Sequence, residues 1–535
     1  MSEKRNYFKE LTGMTYEETF KKERRPHKET LDAIFKQSRS KYPLFSLGVG
    51  EAEALVSEED RESHMHIIGT TGEGKSYLLR HLIRHDIKRL KQAEAKKQKA
   101  PGVCLLDPSA SGDNIRDILK YCAKIDFKKV CLIDPHHLLS HNVVCGINQF
   151  HYDFSYKDAS VANIMDTILT VFGSKDAAET PRINKYLPSV LRILWASKAA
   201  ISDAKYFVEK RYIHQREHLF NNLDPLDQDI DLIQNVYETR LTYENFQSTV
   251  NRLYPVFNST LSLMFGVREG VNFAKLVSEG WLILVNLSDG AGFEPLHTRF
   301  LATTIINEID FAIYRLRNRG FTVPYYLYID EAGEYATRKI ARILELKRQM
   351  GLRLILSHQH MSQFEDRRIQ TSVQTMTKIK VGFYIPDPDE RLKVVKMLGY
   401  GGDLSERDVN YALSTQQKQT AVIKLPKQTP AKVRIPDLPQ VDVSNKDLDR
   451  FIRELYLNPW YYTPKQVYEQ HNDRFKYLQP EPASSSQPPR KAVPPNRKAD
   501  SKASAPKPTA FDRAAKEGVR PKHKNARKDG EGQTD

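Results

Sequence analysis

Apolar positions along the chain switch between two periods, and the switches set out the fold. His66-Ile67-Ile68 reads as the end of a short strand, after which Tyr77, Leu78, Leu79, Leu82, Ile83, Ile87 and Leu90 recur at helical spacing. An exposed Lys/Ala-rich stretch, KQAEAKKQKA, leads into the apolar strand VCLLDP. SASGDNIRDILKYCAKI follows as loop and helix, and a second strand, VCLIDP, begins about 27 residues after the first. Two strands joined by a helix predict a β-α-β unit, hence a parallel sheet. From Tyr152 to about Val271 the strand period vanishes: VANIMDTILTVF, YLPSVLRILWASKAAI, DLIQNVYETRL and STVNRLYPVFNSTLSLMF all repeat at helical spacing. Strands return at GWLILVNLSDG, followed by a long helix over His297–Arg317 and the strand YYLYID. LRLILSH, KIKVGFYI and TAVIKL are the later strands, and Thr463-Pro464-Lys465-Gln466 opens a last helix with a capping-box pattern.

The pattern predicts an α/β fold with a mainly parallel sheet, interrupted by an all-helical insertion. The expected organisation is a charged helical N-terminal segment at 1–45 and a first α/β part at 46–150. The helical insertion at 151–275 follows, then the second α/β part at 276–440, a helical extension at 441–480 and a tail at 481–535.

Composition adds a location and a partner class. At 535 residues with 40% hydrophobic content, the chain has material for about three or four domain-sized units. No apolar run approaches the ~18–20 residues of a membrane span, and MSEKRNYFKELTG is too polar for a signal peptide. A cytoplasmic protein is expected, reaching the inner face of a membrane only through partners. Cys104, Cys122, Cys131 and Cys145 show no C-x-x-C pairing and read as buried thiols in a reducing compartment. The formal net charge is +15. Glu481–Asp535 holds 13 of the 82 Lys/Arg and 7 of the 67 Asp/Glu. It has almost no large apolar residues, which predicts a disordered basic tail. The remainder still carries +9, and that balance favours a polyanionic partner. A merely solvated linker is the plain alternative for the tail.

Residues 69–76 read GTTGEGKS, which fits G-x-x-x-x-G-K-[ST] between a predicted strand and a predicted helix. Gly69, Gly72 and Gly74 let the backbone N–H groups of Gly69, Thr70, Thr71, Gly72, Glu73, Gly74, Lys75 and Ser76 wrap a phosphate at a helix N-terminus. Lys75 is expected to reach the β- and γ-phosphates of ATP, and Ser76 to hold Mg²⁺. YYLYIDEAGE then ends an apolar strand on Asp330-Glu331. Asp330 is expected in the Mg²⁺ shell and Glu331 as the base that orients or deprotonates water. Gln359, just past the strand LRLILSH, is placed to hydrogen-bond water and γ-phosphate together; a glutamine that caps the next turn is the alternative. His358 and His360 read as loop histidines, because no Cys or further His lies at metal spacing. Asp107 and Asp134 also end strands, at the sheet edge that carries ligands, although Asp-Pro is an ordinary strand-terminating turn. The LSGGQ of transport ATPases and the NKxD of GTPases are absent.

This order of motifs (P-loop, helical insertion, acidic strand end, then R-x-x-G, apolar strand and Gln) resembles the FtsK–HerA class of motor ATPases. Within it, the chain is most similar to conjugative coupling proteins of the TraG/TraD kind. LLDPSASGDNIRDIL is similar to that family's aspartate-proline segment, GINQF to its asparagine-containing segment, ETPRINKYLPSVLRILWA to an insertion helix, and KIKVGFYIPDPDERLKVVKMLG to its penultimate strand and helix. The resemblance covers about residues 50–430. It departs in lacking N-terminal membrane helices and in carrying Ser109 where glycine is expected. It implies a RecA-like P-loop NTPase, an ATP hydrolase coupled to DNA translocation, acting as a homohexamer around DNA. It also implies a relaxase and a type IV secretion channel, or another membrane-anchored protein, as partners, and a trans-acting arginine. Arg348 matches that last position best, with Arg342 and Arg353 as rivals. Other roles stay open: a secretion-assembly ATPase, a HerA-like DNA-processing or defence motor, or a substrate-recruitment module with hydrolysis as a timer.

Overall fold

The computed structural model describes residues 45–46, 55–109, 112–172, 180–207, 212–221, 259–290, 293–335, 337–346, 350–401 and 404–475. The N-terminal segment, the DLIQNVYETRL helix, Arg348 and the basic tail lie outside these. β1 (Phe45–Ser46) and β2 (Leu55–Val56) form a short antiparallel pair. β3 (His64–Ile68), β4 (Gly102–Asp107), β5 (Val130–Ile133) and β6 (Val144–Cys145) follow. The later strands are β7 (Leu282–Asn286), β8 (Tyr325–Ile329), β9 (Leu352–His358), β10 (Thr377–Gly382), β11 (Thr420–Lys424), β12 (Ala431–Arg434) and β13 (Tyr461–Tyr462).

Nine of these strands make one sheet in the order β12-β11-β10-β3-β9-β8-β4-β7-β5. The seven from β10 to β5 are parallel, and β11 and β12 add an antiparallel edge. VCLLDP and VCLIDP are parallel as expected, but β7 lies between them: both pair with it rather than with each other. Adjacent side chains on each strand go to opposite faces. Leu105, Leu284 and Tyr328 pack on one side, with the helices α1 (Lys75–Ala95) and α2 (Asp113–Lys124). Cys104, Leu106 and Ile329 pack on the other. Both faces are covered, which is why the strands read as continuous apolar runs.

The second face is covered by helices from both parts of the chain. α3 (Lys157–Phe172) and α4 (Thr180–Ala196) belong to the predicted insertion, as does α5 (Ile213–Asn221). α6 (Pro295–Arg317) is the long helix expected at 297–317, and it packs directly on α3. The described part of 151–275 contains helices and no strand. Its Ile164, Leu191 and Leu194 belong to the same buried cluster as Leu301 and Ile305 of α6 and Leu106 of the sheet. The stretch enters and leaves at one point: Asn148 Nδ2 donates to the Arg268 carbonyl at 2.6 Å, and Val271 N donates to the Gly146 carbonyl at 2.9 Å.

α7 (Arg338–Leu346), α8 (Arg367–Met376), α9 (Pro388–Leu398) and α10 (Glu406–Thr415) complete that face. The C-terminal extension holds α11 (Asn445–Leu455) and α12 (Pro464–Arg474), which opens with the expected Thr463/Gln466 capping box. It also holds β13, which pairs with β6. Arg474 Nε then reaches Asp203 Oδ2 at 3.0 Å, in the helical region. Among the described residues no helix is long and apolar enough to cross a membrane.

Candidate nucleotide-binding and hydrolysis site

The loop 69–74 leaves β3 at the carboxyl edge of the sheet and runs into α1, whose first residue is Lys75. Gly69 is required by close approach: a Cβ there would meet Phe383 Cβ at 2.5 Å. Gly74, immediately before the helix, has φ of 121°, a value that L side chains rarely adopt. Thr70 anchors the loop to the neighbouring strand end, its N–H donating to the Tyr384 carbonyl at 3.1 Å. Glu73 is anchored on the other side, its carbonyl accepting from Gln419 N at 2.9 Å. Thr71 and Gly72 are exposed or half-buried at most, so the crest of the loop is open to a ligand.

The strand order brings the second half of the site beside the first. β9 lies between β3 and β8, so Gln359 and Asp330-Glu331 emerge on adjacent strand ends next to the loop. Ser76 Oγ donates to Asp330 Oδ2 at 2.8 Å. Lys75 Nζ donates to the Thr70 carbonyl at 3.1 Å and lies 4.0 Å from Glu331 Oε1. Gln359 Nε2 donates to that same Oε1 at 3.1 Å. Glu331 sits at φ of 47°, the left-handed region, which is uncommon and costly for a side chain of this kind. Its Oε2 is buried without a protein partner. Burial raises the Glu331 carboxyl above its ordinary value against the pull of Lys75. Burial lowers the Lys75 ammonium, opposed by Glu331 and Asp330. The loop, Lys75, Ser76, Asp330, Glu331 and Gln359 therefore converge on one place. Arg348 lies outside the described residues; of its rivals, Arg342 is exposed on α7 and Arg353 is buried in β9.

Ser76 Oγ and Asp330 Oδ2, bonded to each other, are hard oxygen ligands of the kind Mg²⁺ takes beside phosphate oxygens and water, one carboxylate being enough for such a site. Among the described residues no group of three or more His, Cys, Asp or Glu side chains is gathered to hold a metal by itself. Asp107 ends β4, beside Asp330 at the end of β8. Burial and then the Asp330 charge push its carboxyl up to about 6. Ser109 N and Asn114 Nδ2 hold its Oδ1 at 3.1 and 3.3 Å. Asp134 is turned to a structural task, accepting from His136 N and Asn286 Nδ2, both at 2.9 Å.

The fold is similar to that of the conjugative coupling protein TrwB. The unbound form of TrwB lacking its first 70 residues matches with a TM-score of 0.50 at 14% identity. Its complex with ADP and Mg²⁺ matches at 0.51 and 15%, and its complex with the non-hydrolysable ATP analogue ADPNP at 0.51 and 16%. Each alignment covers 76% of this chain and 92% of the TrwB chain in that structure. No protein-family model matches the chain, and no curated protein sequence matches it.

The histidines flanking Gln359 have structural partners. His358 Nδ1 donates to the His360 carbonyl at 3.0 Å, which leaves its Nε2 to accept from His66 Nε2 on β3. The two rings stack at 4.7 Å with planes 6° apart. Burial pushes His358 down to about 3 and His66 well below its ordinary value, so both are neutral. Sequence reasoning missed this pair, and it missed Asn114 and Gln363. Only Gln363 had a signal: with His360 it stands at capping-box spacing just past a strand end.

Proposed function

We propose that this chain is an ATP-driven motor of the coupling-protein kind, moving DNA toward a type IV secretion channel. The observation that carries the reading is the bond of Ser76 to Asp330 beside the Lys75–Glu331–Gln359 cluster, because hydrolysis needs a phosphate cradle, a cation shell and a base together. Lys75 swings from the Thr70 carbonyl and Glu331 toward the β- and γ-phosphates when ATP fills the loop. Ser76 and Asp330 would hold Mg²⁺, which would supply positive charge to offset that of the phosphates. Glu331 orients the attacking water and accepts its proton at a carboxylate that burial has made more basic. Gln359, already bonded to Glu331, positions the same water and couples its loss to the rest of β9.

The likeness to TrwB, solved with ADP and Mg²⁺ and with an ATP analogue, supports ATP and Mg²⁺ as ligands. The basic balance of +15 supports a polyanionic partner. A homohexameric ring supplies a trans-acting arginine, Arg348, to each neighbouring site, and a membrane-anchored partner brings the ring to the channel. The test is ATP turnover of the wild type and of Lys75→Ala, each with no DNA, single-stranded DNA and double-stranded DNA, beside native mass measurement. A Lys75-dependent ATPase stimulated by DNA and a six-chain mass are expected. Turnover indifferent to either DNA would remove translocation from the reading.

A further inference from the structure

The loop that carries Gln359 is not held by the strand before it alone. Gln363 folds back so that its Oε1 accepts from Gln359 N at 2.9 Å and from His360 N at 3.2 Å. The same side chain lies against the loop that follows the acidic pair. A Cβ on Gly333 would meet Gln363 Cβ at 2.5 Å and its Cδ at 3.2 Å, so the absence of a side chain at Gly333 lets Gln363 in. Glu331 and Gln359 are thus tied twice. One tie is direct, Gln359 Nε2 to Glu331 Oε1 at 3.1 Å, and the other runs from the Gln359 backbone through Gln363 to Gly333. Met361 N is taken by Glu390 Oε2 at 3.0 Å, so three of the first backbone donors after β9 are fixed by side chains.

We propose that Gln363 is a positioning residue for hydrolysis: it sets the angle at which Gln359 meets Glu331 and the water between them. This rests on the hydrolytic reading of the site given above. Gln363 is bonded to neither the phosphate loop nor Lys75, so its loss reaches the site through the Gln359–His360 loop and its contact with Gly333, not through nucleotide binding. Near-attack geometry is sensitive to shifts of an ångström, and a freed loop that samples several orientations spends less time in the productive one. Glutamate at 363 keeps an acceptor oxygen at the same reach and retains the clamp. Alanine removes it, and asparagine, one methylene shorter, fails to span the gap.

The experiment is a double-mutant cycle on turnover in the full chain, with ATP affinity measured separately by titration of a fluorescent ATP analogue. Gln363→Ala is expected to lower kcat about tenfold or more, leave ATP affinity within about twofold, and be rescued by Gln363→Glu but not by Gln363→Asn. Gln359→Ala with Gln363→Ala is expected to be no slower than Gln359→Ala alone, because the second change has nothing left to position. Multiplying losses in the double variant, equal loss of ATP affinity, or unchanged kcat in Gln363→Ala would each overturn the inference. A wild type without Lys75-dependent ATPase would overturn the functional reading as well, so the two failures are told apart by the Lys75→Ala control.

Discussion

Replacing Glu331 by glutamine is expected to separate binding from chemistry at this site. The substitution keeps the shape of the side chain and its left-handed backbone, and its amide oxygen still accepts from Gln359 Nε2. Two things change. The proposed base is lost, which is expected to cost about 10²–10⁴ in rate. The ion pair with Lys75 is also lost, across 4.0 Å with side chains 4% and 25% exposed. Two unit charges at that distance interact by about 1 kcal/mol in water and about 4 kcal/mol at an effective dielectric near 20. In the proposed cycle Lys75 leaves this pair to reach ATP, so neutralising Glu331 is expected to release part of that energy to binding. A carboxylate facing the γ-phosphate disappears at the same time. ATP affinity is therefore expected to hold or to rise by up to about tenfold, which corresponds to about 1.4 kcal/mol. The assay is phosphate release at saturating ATP, with affinity from titration of a fluorescent ATP analogue. Turnover within about threefold of wild type would refute the base assignment, and clearly weakened ATP binding would refute the charge argument.

Arg348→Ala is expected to keep nucleotide binding and to lose turnover in the range of about 10³–10⁵ seen for arginine fingers. Mixing it with Lys75→Ala subunits should restore part of the rate, and a loss under about threefold moves the assignment to Arg342. Deleting Glu481–Asp535 removes 13 basic residues, and the slope of log K against log salt should flatten by roughly 0.7–0.9 for each phosphate that the tail had neutralised. DNA binding measured at several salt concentrations decides it, and identical slopes mean that the tail does not touch DNA. The His66–His358 pair is expected to make stability fall on acidification. Because His358 is held down to about 3 against an ordinary 6.5, the folded chain binds fewer protons than the unfolded one between those values. Stability rises with pH across that window and is lost as pH falls through it. Urea midpoints from pH 7 to 4 should show this slope, flattened in a His66→Gln/His358→Gln variant; an unflattened slope assigns it to other groups.

Much of the site was legible because its requirements are local. A phosphate cradle needs glycine where the backbone crowds Phe383 and where φ is 121°, and those residues sit together at 69–74. An acidic pair closing a fully apolar strand is visible for the same reason. The placing of β7 between β4 and β5 was not legible, since strand order depends on how distant helices pack on both faces. The extension at 441–480 read as purely helical because β13 is two residues long and its partner, β6, lies more than 300 residues earlier. Gln363 and the histidine pair were hidden differently: their partners are backbone groups and rings brought near only by strand pairing.

The bond between Arg474 and Asp203 bears on the order in which the chain is made. Asp203 is fully buried, and Arg474 and His471 keep its carboxyl ionised against the cost of burial. Both partners are synthesised about 270 residues after it. At roughly 5–20 residues per second, the helical region waits on the ribosome for about 14–54 s with a carboxylate that has the Ala200 N–H as a local partner but not yet the cation that offsets its burial. The helices around Asp203 are thus expected to pack fully only once α12 has emerged.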